Sequence, residues 1–271
     1  MPVAFQIKDV PYLHHAGEAL LARLYIPEGR GPFPGVVEVH GGAWGSNDRL
    51  SNTAIHTKLA ESGVVVMAID FRLAPVKYPA ALEDINYAVR WFKAHAGELS
   101  IRPDRIGGLG TSSGGHQLML SALRPRDPRY SIVPGGADDA SLAFIALCWP
   151  IVDPLARYRM AIATGLERLQ AAHDLWWPDE AAMADANPQL ILERGEAGTL
   201  PPVLVIQGTN DANVTPDMAD RFAAAYRKAG GMLDLKKFDG EPHAFIGQDP
   251  AAPAAVAALD AIAGFVRAHA S

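Results

Sequence analysis

Short runs of apolar residues alternate with segments of helical periodicity along most of the chain, and this alternation limits the fold more than any other feature. Continuous apolar runs of five or six residues are typical of parallel strands that are buried on both faces. Strand and helix alternating in this way predict a doubly wound α/β sheet with helices on both faces. The runs are rich in Val, Ile and Leu and lie at residues 35–39, 64–69, 105–109, 142–147 and 202–206.

The segments between the runs carry one apolar stripe at helical spacing. In residues 79–96, the side chains of Leu82, Ile85, Val89 and Phe92 recur at intervals of three and four residues. This spacing places them on one face of a helix, which is the pattern of a helix packed against a core. The same periodicity predicts helices over residues 118–123, 218–229 and 254–270.

Two parts of the chain depart from this rhythm. Residues 4–10 and 18–26 alternate apolar and polar side chains, so we expect a half-exposed antiparallel pair at one edge of the sheet. Residues 153–199 follow an apolar run without a prompt return to the next one, and about 45 residues is too long for a simple connection. We interpret this stretch, with a helical segment at 179–185, as a cap inserted into a single domain of residues 1–271. The alternative is a surface excursion that contacts no ligand.

Composition excludes several classes of function. The chain has 24 basic and 30 acidic residues, a net charge of −6, and its densest basic stretch, residues 124–129, is interrupted by Pro and Asp. No nucleic-acid partner is therefore expected. Cys148 is the single cysteine, and no group of His and carboxylates has the spacing of metal ligands, so we expect no metal and no cofactor. The absence of a leader pattern and of a long apolar segment predicts a cytoplasmic protein without a membrane partner.

The most informative motif is GTSSG at residues 110–114, which matches G-x-S-x-G directly between an apolar run and a helical stretch. A serine hydroxyl is a weak nucleophile at neutral pH, so it must be presented clear of its surroundings and beside a base. A sharp turn between strand and helix does this, and glycines on both sides leave room for neighbouring backbone. We therefore predict that Ser112 is a nucleophile, since the rival Ser113 lacks the flanking glycines.

A second motif, HGGAW at residues 40–44, directly follows the first apolar run. Small residues after a strand allow backbone N–H groups to point into a cavity, where they stabilise the negative charge of an acyl-transfer transition state. We predict Gly41 and Gly42 as such oxyanion donors, together with the N–H of Ser113. Ala43 stays open as a neighbouring donor, and an ordinary turn is the alternative interpretation.

Two further side chains complete a candidate constellation. Asp211 follows the run at 202–206, and ligand sites in open α/β sheets form at the carboxyl ends of strands. His243 follows a strand-like segment, and the order Ser, Asp, His is the one expected when a serine turn is built on such a sheet. The imidazole would accept the serine proton while Asp211 holds its tautomer. Asp217 and Asp239 are rival carboxylates, and Asp211 is preferred because it lies close to a strand end that is followed by a loop.

These motifs together resemble the α/β hydrolases of the carboxylesterase and hormone-sensitive-lipase-like group. The resemblance covers nearly the whole chain outside residues 153–199. It is carried by HGGAW at 40–44, FRLAP at 71–75, the segment 78–116 with its GTSSG motif, PPVLVIQGTND at 201–211 and EPHAFI at 241–246.

The resemblance implies an α/β-hydrolase fold, with a mostly parallel sheet of about eight strands flanked by helices and an inserted helical cap. It also implies particular roles for the motif residues. The implied triad is Ser112, Asp211 and His243, and the implied oxyanion hole is Gly41, Gly42 and Ser113. The chain departs from the family pattern at Ala43, where many relatives have a third glycine, and at Ser113, where alanine is common.

Three functions fit these residues. The first is a serine carboxylesterase that cleaves small to medium acyl or aryl esters through an acyl-enzyme. The second is an arylformamidase-like amidase with the same triad, and the third is a hydrolase-fold protein that binds ligands without catalysis. A homo-oligomer is compatible with the sequence, which does not reveal a face for it. Four tryptophans are candidates for the wall of a substrate pocket: Trp44, Trp149, Trp176 and Trp177.

Overall fold

The computed structural model describes residues 1–270 and contains one eight-stranded sheet, as predicted. The spatial order of its strands is β1-β2-β4-β3-β5-β6-β7-β8. β1 pairs antiparallel with β2, β2 pairs antiparallel with β4, and all other neighbours are parallel. The predicted edge pair is therefore confirmed. The strands are β1 (Phe5–His15), β2 (Glu18–Pro27), β3 (Phe33–Val39), β4 (Val65–Ile69), β5 (Ile101–Thr111), β6 (Ile145–Cys148), β7 (Val203–Gly208) and β8 (Leu233–Phe238).

Helices cover both faces of this sheet, and the sheet divides the apolar core into two layers. The helices are α1 (Thr53–Glu61), α2 (Ala80–Ala94), α3 (Ser112–Leu123), α4 (Pro154–Ala163), α5 (Glu167–Trp176), α6 (Glu180–Asp185), α7 (Pro188–Glu193), α8 (Pro216–Lys228), α9 (Phe245–Gln248) and α10 (Pro253–Ala270). One layer contains side chains of α2, α3 and α8, and the other contains side chains of α1 and α10.

The continuous apolar runs follow from this double covering. In β3, Val37 and Val39 point into one layer while Val36 points into the other, because successive side chains of a strand face opposite sides. β6 begins at Ile145, three residues after the start of the predicted run. The residue before it, Phe144, is buried and packs over Gly107, where a Cβ atom would lie 2.1 Å from the Phe144 ring.

Four helices, α4 to α7, replace a simple connection between β6 and β7, and we call residues 154–193 the insertion. Three of these helices begin at a side-chain cap, which satisfies N–H groups that have no partner at a helix start. The side chains of Asp153, Asp179 and Asn187 accept hydrogen bonds from backbone N–H groups in the first turns of α4, α6 and α7. The helix predicted at 179–185 is present as α6.

Among residues 1–270, no helix is both long and apolar enough to cross a lipid bilayer.

Candidate active site

The turn between β5 and α3 presents Ser112 in a backbone conformation that few side chains adopt. Its φ angle is 50°, in the left-handed region. The turn is tight because neighbouring backbone passes the two motif glycines closely. A Cβ atom on Gly110 would lie 2.8 Å from the Cα of Gly115, and one on Gly114 would lie 2.1 Å from the carbonyl oxygen of Val39. The glycines of G-x-S-x-G are thus required by contact distances.

Ser112, His243 and Asp211 form a continuous chain of hydrogen bonds. The Nε2 atom of His243 lies 3.0 Å from the Oγ atom of Ser112, and its Nδ1 atom lies 2.7 Å from Oδ2 of Asp211. A carboxylate at Nδ1 keeps the proton on that nitrogen, so Nε2 is left as the acceptor for the serine hydroxyl. The structure therefore brings together the three side chains that the sequence selected.

The Asp211 carboxylate is buried but well supplied with donors. Its Oδ1 atom accepts the N–H groups of Asn213 and Val214, both at 2.8 Å, and Oδ2 also accepts from Gln207 at 3.1 Å. Burial favours a raised pKa, but the hydrogen bond to His243 and the backbone N–H groups outweigh it and hold the pKa of Asp211 below its usual value. The carboxylate is therefore ionised at neutral pH.

The rival carboxylates lie away from this chain. Asp239 accepts a hydrogen bond from the Thr209 hydroxyl at 3.0 Å, and Asp217 lies 3.7 Å from the guanidinium of Arg221. Neither contacts His243, which matches the choice made from the sequence.

The HGGAW turn differs in one respect from the prediction. The N–H of Gly41 donates to the Thr111 hydroxyl at 2.8 Å, so this group is engaged inside the protein and is not free to stabilise an oxyanion. Within residues 1–270, the N–H groups of Gly42 and Ala43 make no backbone or side-chain hydrogen bond, and both residues line the cavity beside Ser112. The pair of available N–H donors is therefore Gly42 and Ala43, one position further along the turn than the predicted pair Gly41 and Gly42.

Ser113 contributes through both its backbone and its side chain. Its N–H lies in the first turn of α3, where backbone N–H groups have no acceptor within the helix. Its hydroxyl accepts the N–H of Trp44 at 3.1 Å and so ties the HGGAW turn to the start of α3. The serine that replaces the family's usual alanine therefore has a structural partner.

A buried polar network lies behind the Gly41 contact, and sequence reasoning missed it. The Asn52 amide donates to Oε1 of Glu38 at 2.7 Å and to the Thr111 hydroxyl at 3.1 Å. The other Glu38 oxygen lies 3.0 Å from Nε2 of His56. A signal was present, because Glu38 is an acidic residue inside the apolar run of β3, and a buried charge needs partners.

A cavity of about 480 Å³ opens beside Ser112 and His243. Of the four candidate tryptophans, only Trp149 lies in its wall, and the prediction for the other three is wrong. The insertion supplies part of the opposite wall through α4 and α5. Its side chains there are Arg157, Arg168, Leu169, Ala172 and Leu175.

The three other tryptophans join the insertion to the body of the protein. Trp44 stacks on Trp176 with ring centroids 5.3 Å apart, and Trp177 meets both rings edge to face. All three are at most 1% exposed. With His116 and His173, which contact the Trp44 ring, they form what we call the aromatic cluster. The aromatic cluster stabilises the packing of the insertion against the body of the protein.

The histidines near the motifs have structural contacts. His116 accepts the indole N–H of Trp44 at 3.3 Å through Nδ1 and donates from Nε2 to the carbonyl oxygen of Ala186 at 2.9 Å. His40 holds the HGGAW turn, since its Nδ1 lies 2.7 Å from the Gly41 carbonyl oxygen and its ring stacks on Phe71.

Replacing Trp176 by phenylalanine tests the aromatic cluster. We expect the free energy of unfolding to fall by about 1–2 kcal/mol, because the smaller ring leaves a void between Trp44 and Trp177. Urea denaturation measures the change. The exposed Ile162 of α4 provides the control, since its replacement by alanine should change stability by less than about 0.5 kcal/mol. Equal losses in both variants would contradict the assignment.

The same cluster predicts a loss of stability in mild acid. Burial lowers the pKa of His116 and of His173 to about 4, so the folded protein keeps both imidazoles neutral where an unfolded chain protonates them. The contribution of each neutral histidine to the free energy of unfolding is therefore fully present above pH 6.5 and decreases as the pH falls towards 4. At pH 4.5 the loss is about 2–3 kcal/mol per histidine.

Denaturation of the variant His116→Gln at pH 7 and pH 4.5 measures this effect. We expect the difference in unfolding free energy between the two pH values to be smaller than in the wild type. The exposed His14 offers a matched replacement, His14→Gln, which should keep the wild-type difference. An unchanged difference in His116→Gln would show that His116 does not cause the acid sensitivity.

Comparison with known proteins places this geometry in a family. A family model described as the alpha/beta hydrolase fold matches residues 36–247. The chain is 29% identical to the carboxylic ester hydrolase LipN of Mycobacterium tuberculosis, over 98% of this chain and 71% of that protein. It is 30% identical to the esterase LipC of the same organism, over 79% of this chain but only 53% of LipC.

The structural comparison agrees with the sequence comparison. The fold is similar to that of EstE1, a thermophilic carboxylesterase cloned from a metagenomic library, with a TM-score of 0.83 and 27% identity. The match covers 100% of this chain and 90% of EstE1. With a family model that spans most of its length, the chain belongs to the α/β-hydrolase family, in the carboxylesterase and hormone-sensitive-lipase-like group.

Proposed function

We propose that this protein is a serine hydrolase that cleaves carboxylic esters with small to medium acyl or aryl groups. The observation that carries the proposal is the hydrogen-bonded chain from Ser112 through His243 to Asp211, placed in the wall of a cavity. The similarity to proteins named as ester hydrolases supports the choice of ester over amide. Hydrolysis of aryl formamides by the same side chains is the less favoured alternative.

The geometry accounts for formation of an acyl-enzyme. The Oγ atom of Ser112 attacks the ester carbonyl carbon while its proton passes to Nε2 of His243, which already lies 3.0 Å away. The imidazolium is stabilised by the ionised Asp211 at Nδ1. The tetrahedral intermediate then collapses, the bond to the alcohol oxygen breaks, and the proton on Nε2 goes to the departing alcohol.

The second half of the reaction uses the same groups. Water loses a proton to His243 and attacks the acyl-enzyme carbonyl, and the bond to Ser112 breaks as its oxygen takes the proton back. In both halves, the negative oxygen is stabilised by backbone N–H groups. We assign this role to Gly42, Ala43 and Ser113, because the Gly41 N–H is engaged with Thr111.

The insertion acts as the cap in this proposal, as part of a single hydrolase domain. The apolar side chains of Leu169, Ala172 and Leu175 face the cavity and offer a surface for an acyl or aryl group. A volume of about 480 Å³ is in the range of sites for small molecules. The cytoplasmic location and the homo-oligomer stay predictions.

Turnover of p-nitrophenyl acetate, butyrate and octanoate tests the proposal, with formanilide as the amide substrate. We expect hydrolysis of at least the shorter esters and much slower cleavage of formanilide. A fluorophosphonate probe should label Ser112 in the wild type and leave the Ser112→Ala variant unlabelled, as mass spectrometry can show. Folded protein that neither hydrolyses an ester nor reacts with the probe would favour a binding protein without catalysis. Faster turnover of formanilide would favour the amidase.

A further inference from the structure

One positive side chain in the cavity wall is buried without a negative partner. Arg157 of α4 is 1% exposed, its guanidinium lies 5.9 Å from the centre of the Trp44 ring, and the hydrogen bonds of the guanidinium within the described residues all go to Asn213. Its Nε atom donates to the carbonyl oxygen of Asn213 at 3.1 Å and to Oδ1 of that residue at 3.2 Å, and Nη2 donates to the same Oδ1. Both acceptors are neutral.

The other side of the guanidinium has no acceptor. The Nη1 atom of Arg157 is buried and makes no hydrogen bond within residues 1–270, and no carboxylate in that range lies within 4.0 Å of the group. An uncompensated buried charge costs several kcal/mol, whereas a guanidinium paired with a carboxylate forms strong, charge-assisted hydrogen bonds. The unused side of Arg157 thus has the chemistry of an anion site.

The only other charged side chain described in the cavity wall is also positive. A second arginine, Arg168 of α5, lines the cavity, is exposed, and makes no ion pair among the described residues. The wall contains no Asp or Glu among residues 1–270, although the chain as a whole carries a net charge of −6. Two positive side chains without an acid in one wall attract a negative ligand.

The charged groups around Arg157 do not cancel the attraction of the cavity wall for a negative ligand. Burial lowers the pKa of Arg157 to about 10, against the opposing influence of Asp211, so the side chain is charged at neutral pH. Asp211 itself is engaged by His243 and by backbone N–H groups. Arg168 adds positive charge on the same side, and the nearby His173 is neutral because burial lowers its pKa.

We infer that the preferred substrates are esters that carry a carboxylate, which is bound by Arg157 while the ester carbonyl lies at Ser112. This inference rests on the proposed ester hydrolysis and names the substrate class of the same site. Arg168 guides the anion at the exposed part of the wall. The reaction itself is unchanged, because the carboxylate only binds and takes no part in bond breaking.

Arg157 also has a structural task that the test must separate from binding. Through Asn213 it supports the loop whose N–H group holds Asp211, so replacing Arg157 can lower turnover of every substrate. The informative quantity is therefore a ratio: kcat/KM for an anionic ester divided by kcat/KM for its neutral isostere. A loss that is purely structural lowers both values and leaves the ratio unchanged.

Two substrate series place the anion on either side of the ester. In the first, the acyl group carries it: monomethyl malonate, succinate, glutarate and adipate, each compared with the ester in which a primary amide replaces the carboxylate. In the second, the alcohol carries it: O-acetyl glycolate and O-acetyl 3-hydroxypropanoate, with their amides. For at least one pair we expect a ratio of about 10- to 100-fold in favour of the anion, the range of a hydrogen bond to a charged group.

Variants then test which side chain causes the preference for the anionic ester over its amide. Arg157→Met should reduce the ratio for that pair to about 1, and Arg157→Lys should keep part of it. Arg168→Gln, at an exposed position that does not contact Asn213, should reduce it by a smaller factor. Because an Arg157 variant can fail to fold, the wild type supplies an independent test: the matching free dicarboxylate should inhibit hydrolysis of p-nitrophenyl acetate, and its diamide should not.

The inference is overturned if no pair in the wild type shows a ratio above about 3, or if the ratio survives in Arg157→Met. It is also overturned if the dicarboxylate and the diamide inhibit equally. Failure of the proposed ester hydrolysis looks different, because the wild type would then hydrolyse neither the anionic esters nor p-nitrophenyl acetate. Active enzyme without anion preference therefore refutes the substrate class alone.

Discussion

Replacing Ser112 by alanine should lower kcat by about 10⁴- to 10⁶-fold, the range found when the nucleophile of a serine hydrolase is removed. The physical reason is the loss of the hydroxyl oxygen that lies 3.0 Å from Nε2 of His243 in the wall of the cavity. The change removes a single atom, and alanine leaves the neighbouring backbone contacts of the turn as they are. Initial rates on p-nitrophenyl butyrate, after removal of any contaminating esterase, measure the effect.

The Asp211→Asn variant is a matched comparison for Ser112→Ala. The amide keeps the size of the carboxylate but can no longer hold a proton on Nδ1 of His243, so a loss of about 10⁴-fold in kcat is expected. Thermal denaturation should show that both variants are folded. A Ser112→Ala variant with more than about a tenth of the wild-type rate would contradict the assignment of the nucleophile.

Replacing Gly114 by alanine should both destabilise the protein and impair catalysis. The added Cβ atom would lie 2.1 Å from the carbonyl oxygen of Val39 and 2.3 Å from that of His40. Both contacts are with backbone, so α3 has to move away from the HGGAW turn. We expect the free energy of unfolding to fall by about 3 kcal/mol, at the upper end of overpacking, and kcat/KM to fall about 100-fold as the catalytic groups are displaced.

Gly264 of α10 provides the control for this variant. Outside the nearby backbone of α10, a Cβ atom there would meet no atom of the described residues within 4 Å, and the helical position favours alanine over glycine by about 1 kcal/mol. Gly264→Ala should therefore be fully active and as stable as the wild type or slightly more so. If Gly114→Ala behaved in the same way, the close approach of β3 to the serine turn would be refuted.

The sheet was predictable from sequence because a strand that is buried on both faces needs apolar side chains at successive positions. Val36 and Val37 point into opposite layers, and both have to be apolar. Helix α1 and three of the four helices in the insertion were not predicted. Helix α7 has only six residues, too few to show periodicity, and its start depends on the cap Asn187.

The candidate site was predictable where the motif itself fixes geometry, as at Ser112. It was not predictable where a choice depends on one hydrogen bond. The HGGAW motif does not reveal that Thr111 accepts the N–H of Gly41, which leaves Ala43 as the available donor. Nor does an indole ring in the sequence reveal whether it faces a cavity, like Trp149, or another ring, like Trp176.

The aromatic cluster limits how the cavity can exchange its contents and how it can change in evolution. Swinging the insertion outwards would expose Trp44, Trp176 and Trp177 to water, and burial of each ring contributes about 4 kcal/mol or more. We therefore expect ligands to enter and leave the cavity through its existing opening, without outward movement of the insertion. We expect new substrate specificities to arise most readily from substitutions on the cavity-facing sides of α4 and α5, while the aromatic cluster stays unchanged.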